Sequence, residues 1–258
     1  MATRLVPALT RGLDILVLLA REPQLTAPAI AAALDLPRTT VHELVKTLEA
    51  KGFIQDAGGS AYRLGMRTFE LGKRFERDMD LAEIGKQCAQ RVADECGETV
   101  QIALLDGTEV IYVVQINTIH TVRLLSSIGG RLPAHLTGVG KVSLAFQDEN
   151  RLHELYPFGQ PLKVMTPKSI ATTDSLHEAL DRIRIEGVAW DECESNPDVF
   201  CVAAPVHNST GAVIGGMSIS VPATRWNDEH AEELRKLVVS GAQQLSANLG
   251  LDASLSRA

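Results

Sequence analysis

Aromatic residues are scarce in this chain of 258 residues, at 4%, and cysteines number only four. So few rings give little for exposed bases to stack on, which argues against a platform for single-stranded nucleic acid. Cys88, Cys96, Cys193 and Cys201 form no CxxC pair and no dense framework. A disulfide scaffold is therefore excluded, and thiols kept reduced in a cytoplasmic protein are expected. No apolar run approaches the roughly 18 residues of a membrane helix, and Asp14 interrupts the most apolar stretch near the start, so neither a membrane partner nor a signal peptide is expected. An excess of positive charge is missing too: 25 Lys and Arg stand against 32 Asp and Glu, a net of −7.

What is present is an ordinary globular composition, 45% hydrophobic and 22% charged, at a length that suits one large domain or two modest ones. The charge is unevenly divided. Residues 1–78 hold eleven basic and nine acidic residues, about +2, while the remainder carries about −9. Such a split permits a polyanionic partner for the first part and argues against one for the second.

The first third reads as three short helices and a ribbon. Leu13, Leu16, Val17 and Ala20 keep helical spacing up to Glu22-Pro23, and Thr26 is placed to cap a second helix carrying Ile30, Ala33 and Leu34. Asp35-Leu36-Pro37 breaks that pattern, and Val41, Leu44, Val45 and Leu48 mark a third helix ending near Gly52. Phe53–Gln55 and Ala61–Leu64 then flank a glycine-bearing turn, which predicts a hairpin, and Gly65 to Arg77 returns to helical spacing. Three helices and a ribbon make a winged helix-turn-helix, whose third helix enters the major groove. Arg38, Thr39, Thr40 and His42 lie at the leading end of that helix, where side chains reach base edges and free N–H groups meet phosphate. Lys46 and Arg63 are candidates for phosphate contacts. The alternative is a helical subdomain used for protein contacts, with these cations merely solvated.

From Leu81 the pattern becomes α+β. A helix to Glu95 precedes strands at Thr99–Leu105 and Val110–Gln115 around Asp106-Gly107, a dipeptide suited to a tight turn. Gly129–Pro133 reads as a loop, Gly140–Phe146 as a helix, and Thr173 or Asp174 as the cap of another running to Glu186. Strands follow at Val188–Asp191, Cys201–His207 and Ala212–Val221, and an amphipathic helix from Asn227 to about Asn248 closes the chain. The expected organisation is a DNA-binding domain at 1–64, a connecting helix at 65–80 and a second domain at 81–258.

Over nearly its whole length the sequence resembles the IclR family of bacterial transcription regulators. Thr10-Arg11-Gly12-Leu13-Asp14-Ile15-Leu16, Leu36-Pro37-Arg38-Thr39-Thr40-Val41-His42 and Tyr62-Arg63-Leu64-Gly65 resemble its DNA-binding domain. Gly129-Gly130-Arg131-Leu132-Pro133, Thr137-Gly138-Val139-Gly140-Lys141, and Cys201-Val202-Ala203-Ala204-Pro205-Val206 followed by Ser218-Ile219-Ser220 resemble its effector domain. The resemblance implies a homodimer or tetramer that binds double-stranded operator DNA, and a GAF-like carboxyl-terminal domain that takes a small organic effector. It implies no cofactor and no catalysis. Carried over by position, the polar pocket residues are Asp191, Cys201, Ser218 and Ser220 with the N–H groups of Gly138 and Val139; the apolar wall includes Leu124, Leu132 and Val199. Glu43, Asp198 and Val221 depart from the family pattern, so the operator sequence and the effector's charge do not follow from it.

Residue chemistry points the same way. Ser218 and Ser220 alternate with Met217 and Ile219, so both hydroxyls leave one face of a strand, and Gly138 and Val139 precede a helix whose first N–H groups suit an anion. A small carboxylate or oxygenated metabolite is expected. Two other readings use the same residues: a thiol nucleophile from Cys201 with Asp191 and His207 or His135, and a metal site from Cys193, Cys201, His135 and His207. Neither has an enforcing spacing. In a further alternative the second domain is purely an assembly surface.

Overall fold

The chain divides into two compact units, Met1–Met79 and Asp80–Ala258. The computed structural model describes residues 5–78, 81–117 and 126–251. The first unit runs α1 (Pro7–Arg21), β1 (Leu25–Thr26), α2 (Ala27–Ala33), α3 (Arg38–Ala50), β2 (Ile54–Gly58), β3 (Ala61–Leu64) and α4 (Met66–Asp78). Its antiparallel sheet has the order β1-β3-β2. Thr26 caps α2 by accepting the Ala29 N–H at 3.4 Å, as its position predicts. Asp35 takes a left-handed turn, φ +49°, between α2 and α3, and Pro37 starts α3 without a side-chain cap. Ile15, Leu19, Ile30, Val41, Val45 and Ile54 form the buried core, with Leu16, Leu34, Leu44 and Leu48 packed against it. The stripe expected along the first helix is corrected: α1 turns Ile15 and Leu19 inward, while Leu13, Val17 and Ala20 are exposed, as is Ala33 of α2. The ribbon is longer than the sequence suggests, because β2 continues through Asp56 to Gly58.

The second unit begins with α5 (Leu81–Cys96), β4 (Thr99–Asp106), β5 (Glu109–Ile116) and β6 (Arg131–Pro133). After a 3-10 turn at Ala134–Leu136 come α6 (Gly138–Ala145), α7 (Glu149–Leu155), α8 (Thr173–Glu186), β7 (Ala189–Glu192), β8 (Val199–His207), β9 (Val213–Pro222) and α9 (Asp228–Asn248). An antiparallel sheet of order β6-β5-β4-β9-β8-β7 has α5 and α9 packed together against it and α6 seated on it beneath α8. The fold is α+β, as expected. Four local expectations are corrected. Arg131–Pro133 is an edge strand, held by pairing with Glu109–Ile111 that composition does not reveal. The cap of α8 is Thr172, whose hydroxyl accepts the Ser175 N–H at 3.2 Å. Gly138 and Val139 lie inside the first turn of α6, because Thr137 caps it through the Gly140 N–H at 3.0 Å. Cys201 stands third in β8 and does not begin it.

Strand alternation sorts the sheet's two faces. Ile102 opposes Met217 and Val100 opposes Ile219, while Gln101 opposes Ser218, Ala203 opposes Ser218 and Cys201 opposes Ser220. The polar set thus falls on one face of the pleat and the large apolar set on the other. α6 lies very close to the polar face. A Cβ on Gly216 would meet the Val142 Cγ1 at 2.9 Å and the Val139 Cα at 3.3 Å, and one on Gly138 would meet the Ala203 Cβ at 3.2 Å; within the approach to α6, a Cβ on Gly140 would collide with the Ala134 carbonyl oxygen.

Gly140→Ala is expected to destabilise the second unit by about 1–3 kcal/mol, because the obstacle is backbone that cannot move aside. Gly72→Ala, in α4 with nothing within 4 Å of its added carbon, is expected to be neutral or stabilising by up to about 1 kcal/mol. Urea unfolding of both variants reads the contrast; equal effects would contradict the close packing of α6 against the turn that precedes it.

Candidate functional site

Two surfaces carry the candidate residues, one in each unit. On α3, Arg38, Thr39 and His42 are exposed and Thr40 is half-buried, all within the first five residues of the helix. With no side chain closing its start, the first N–H groups of α3 remain open to a phosphate oxygen. Lys46 is exposed one turn further along but pairs with Glu49, Nζ to Oε2 at 3.2 Å. Glu43 is also exposed, and its backbone carbonyl accepts the Thr47 hydroxyl at 2.8 Å. Arg63 is exposed on β3 of the ribbon. The ribbon tip turns on Gly58, Gly59 and Ser60, all at positive φ, with the Gly58 N–H bound by the Asp56 carboxylate at 2.7 Å.

In the second unit, Gly138, Val139, Leu132, Asp191, Val199, Cys201, Ser218 and Ser220 line one cavity between α6 and the polar face of the sheet. Leu124 lies outside the described residues. The cavity volume is about 20 Å³, room for a single water molecule. Gln101, Tyr112, Ser126, Thr137, Ser195 and Asn196 complete its wall and were not anticipated. Asp198 is exposed and is not among the lining residues, so its carboxylate adds no charge to the cavity wall.

The wall's polar groups differ in how far they are committed. Asp191 is spoken for: its carboxylate accepts the Glu194 N–H and the Ser195 hydroxyl, each at 2.7 Å, which ties the turn after β7 to that strand. Burial holds its pKa above the usual carboxylate value, opposed by the Ser195 hydrogen bond and by Lys141. Gln101 is a hub. Its Nε2 donates to Gln115 Oε1 at 2.9 Å and to Ser126 Oγ at 2.8 Å, and its Oε1 accepts the Ser220 hydroxyl at 3.4 Å. Ser220 also lies 3.3 Å from the Cys201 sulfur. The Ser218 hydroxyl and the N–H groups of Gly138 and Val139 have no hydrogen-bond partner among the described residues. Among the described residues three donors are therefore without a partner at one place, the combination that an oxygen-rich ligand satisfies.

Burial, followed by the Asp191 charge, pushes the Cys201 thiol far up, which favours the protonated form over the thiolate. His135 is buried, with its Nε2 2.9 Å from the Lys163 carbonyl oxygen, and burial lowers its pKa. Among the described residues no group of three or more His, Cys, Asp or Glu side chains is arranged to hold a metal.

Behind the cavity the Lys141 amine, on α6, pairs with Glu194; both side chains are at most 9% exposed. Removing one partner of such a pair leaves an uncompensated charge in the interior. Lys141→Met is expected to destabilise the second unit by about 3–5 kcal/mol, and Lys141→Met combined with Glu194→Leu to recover most of that loss. Urea unfolding of the single and double variants tests this; an undisturbed single variant would contradict it. Because the folded pKa of Asp191 is raised, its ionisation opposes folding, and its contribution to stability falls as pH rises from the ordinary carboxylate value through the raised folded value. Asp191→Asn should flatten that part of the stability profile, measured by unfolding from pH 4 upward.

Comparison with known proteins adds the family. Residues 8–57 match the model of the IclR helix-turn-helix domain, and residues 75–247 match that of the bacterial transcriptional regulator IclR C-terminal domain. The chain is similar to the HTH-type transcriptional regulator XynR of Escherichia coli, 32% identical over 96% of this chain and 99% of that protein. The crystal structure of an IclR-type regulator from Alicyclobacillus acidocaldarius superposes with a TM-score of 0.82 at 27% identity, covering 96% of this chain and 100% of the other. A homologue from Microbacterium hydrocarbonoxydans, complexed with 4-hydroxybenzoate, shares the fold with a TM-score of 0.80 at 24% identity, covering 93% and 99%. With both halves matched in order, the chain belongs to the IclR family of transcriptional regulators, with a DNA-binding helix-turn-helix and an effector-binding carboxyl-terminal domain.

Proposed function

We propose that this protein is a cytoplasmic regulator, not an enzyme, whose hold on operator DNA is controlled by a small carboxylate or oxygenated metabolite bound between α6 and the sheet. The observation that carries the reading is the trio of donors without a partner among the described residues, Ser218 Oγ–H and the Gly138 and Val139 N–H groups, lining one cavity beside the apolar Leu132 and Val199. The N–H groups open a helix, where a carboxylate oxygen is favoured. Asp191 serves this site as a scaffold for its rim, since its oxygens are already engaged. The homologue complexed with 4-hydroxybenzoate supports a ligand that joins an acid to a further oxygen.

A metabolite of several heavy atoms needs several times the 20 Å³ of the cavity. Ligand binding then selects a more open arrangement of α6 and the sheet, and any energy it contributes to that state is available to bias DNA binding. In this reading DNA is gripped by Arg38, Thr39, Thr40 and His42 at base edges and by Lys46 and Arg63 at phosphates, with a homodimer presenting two such heads and a tetramer four. The same small volume is what favours the second reading, in which the carboxyl-terminal unit only assembles subunits.

Thermal-shift screening of the full chain against small aliphatic and aromatic hydroxy acids separates the two. We expect at least one acid to raise the unfolding temperature, and Ser218→Ala with Ser220→Ala to abolish the shift; a screen without hits would favour the assembly reading, and a shift indifferent to the two serines would put the ligand outside this cavity. For the head, a duplex enriched from random sequence by the wild-type protein should lose affinity for Arg38→Ala. A cost of about 1–3 kcal/mol with relaxed base preference identifies a base contact, and a uniform loss across sequences a phosphate contact.

A further inference from the structure

The cations of the first unit are not equally available to a polyanion. Lys46 pairs with Glu49, and Arg67 with Glu70 at 2.9 Å, so each carries its own counter-charge. Arg63 is treated differently. In the β2–β3 register it stands directly opposite Gln55. With the Gln55 amide turned so that its oxygen faces donors, that oxygen accepts from Arg63 Nε at 2.7 Å and Nη2 at 2.8 Å. One edge of the guanidinium is thereby fixed across the ribbon. The other edge, with Nη1, is left without a protein partner among the described residues.

The neighbouring carboxylate, Asp56, is turned to the ribbon tip by the Gly58 N–H at 2.7 Å, which leaves the neutral amide as the group that holds Arg63. A carboxylate at position 55 would make the same two hydrogen bonds, more strongly, but would cancel the charge. A neutral acceptor orients the guanidinium, reduces the rotamer freedom it would lose on binding, and keeps its full charge for the duplex.

We propose that Gln55 is a positioning residue of the DNA-binding surface: it presents Arg63 on the ribbon as an oriented, uncompensated cation for a backbone phosphate flanking the recognition helix. The proposal rests on the DNA-binding reading above and concerns a residue that does not itself touch DNA.

The test uses the full-length protein and the duplex enriched from random sequence by the wild type, with affinity measured by fluorescence anisotropy from about 50 to 300 mM salt, a range over which phosphate contacts set the slope. Gln55→Glu should leave unfolding by urea unchanged or improved, yet lower affinity roughly tenfold and reduce the slope of log K against log salt by about one. Gln55→Leu, which frees the guanidinium without neutralising it, should lose less affinity and keep the slope. In an Arg63→Ala background neither change should matter further. A merely structural glutamine predicts the opposite order, with Gln55→Glu binding as well as wild type, and that result overturns the proposal. So does a loss of affinity that persists without Arg63, or an Arg63→Ala protein that binds normally while Arg38→Ala does not. A wild type that enriches no duplex would instead sink the DNA-binding reading itself.

Discussion

The seating of α6 on the sheet is the contact on which the second unit's architecture depends. Gly216 leaves room for the Val139 Cα and the Val142 side chain, and Gly138 passes the Ala203 Cβ, so glycines on both elements let the helix approach the strands. That closeness brings two backbone N–H groups of a helix start to the same cavity as the hydroxyls of β9. It also carries Lys141 inward, where Glu194 must meet it, and Glu194 is in turn held by the Asp191 carboxylate through its own N–H. One short helix thus links an anion-seeking helix start, a buried ion pair and the turn that rims the cavity.

The two units use the same chemistry on different terms. At α3 a helix start is left uncapped on an exposed surface, where a phosphate can approach from solvent. At α6 the helix start is capped by Thr137 and buried, and the two residues whose N–H groups have no partner among the described residues line a small volume, where a ligand or water would satisfy them. An exposed site of the first kind gives affinity that falls with salt, whereas an enclosed one of the second kind gives selectivity by shape and by the count of acceptors.

Much of this was legible in the sequence because it depends on period. Ser218 and Ser220 were placed on one face by the two-residue repeat of a strand, and Val41 and Val45 were placed in the core by helical spacing. Gln101 and Tyr112 were missed because they reach the cavity through register: Gln101 faces it only since β4 pairs with β9, and pairing between distant segments leaves no local mark. A lone glutamine inside the apolar run Thr99–Leu105 was the available signal. Asp191 was found by position, but its engagement with Ser195 and Glu194 depends on a turn in which Cys193 takes positive φ, a conformation that composition does not announce. The strand at Arg131–Pro133 and the helix α7 were too short for periodicity to register.

The central claim is that DNA and a metabolite compete for or cooperate over one equilibrium of this chain. The most direct measurement is the dissociation constant of the full-length protein for its enriched duplex at fixed salt, with and without a saturating concentration of the acid that most stabilises it, together with that acid's own dissociation constant with and without the duplex. The account predicts that both ratios depart from unity by the same factor, about 5- to 150-fold. Ratios of one, with both ligands bound, would contradict it.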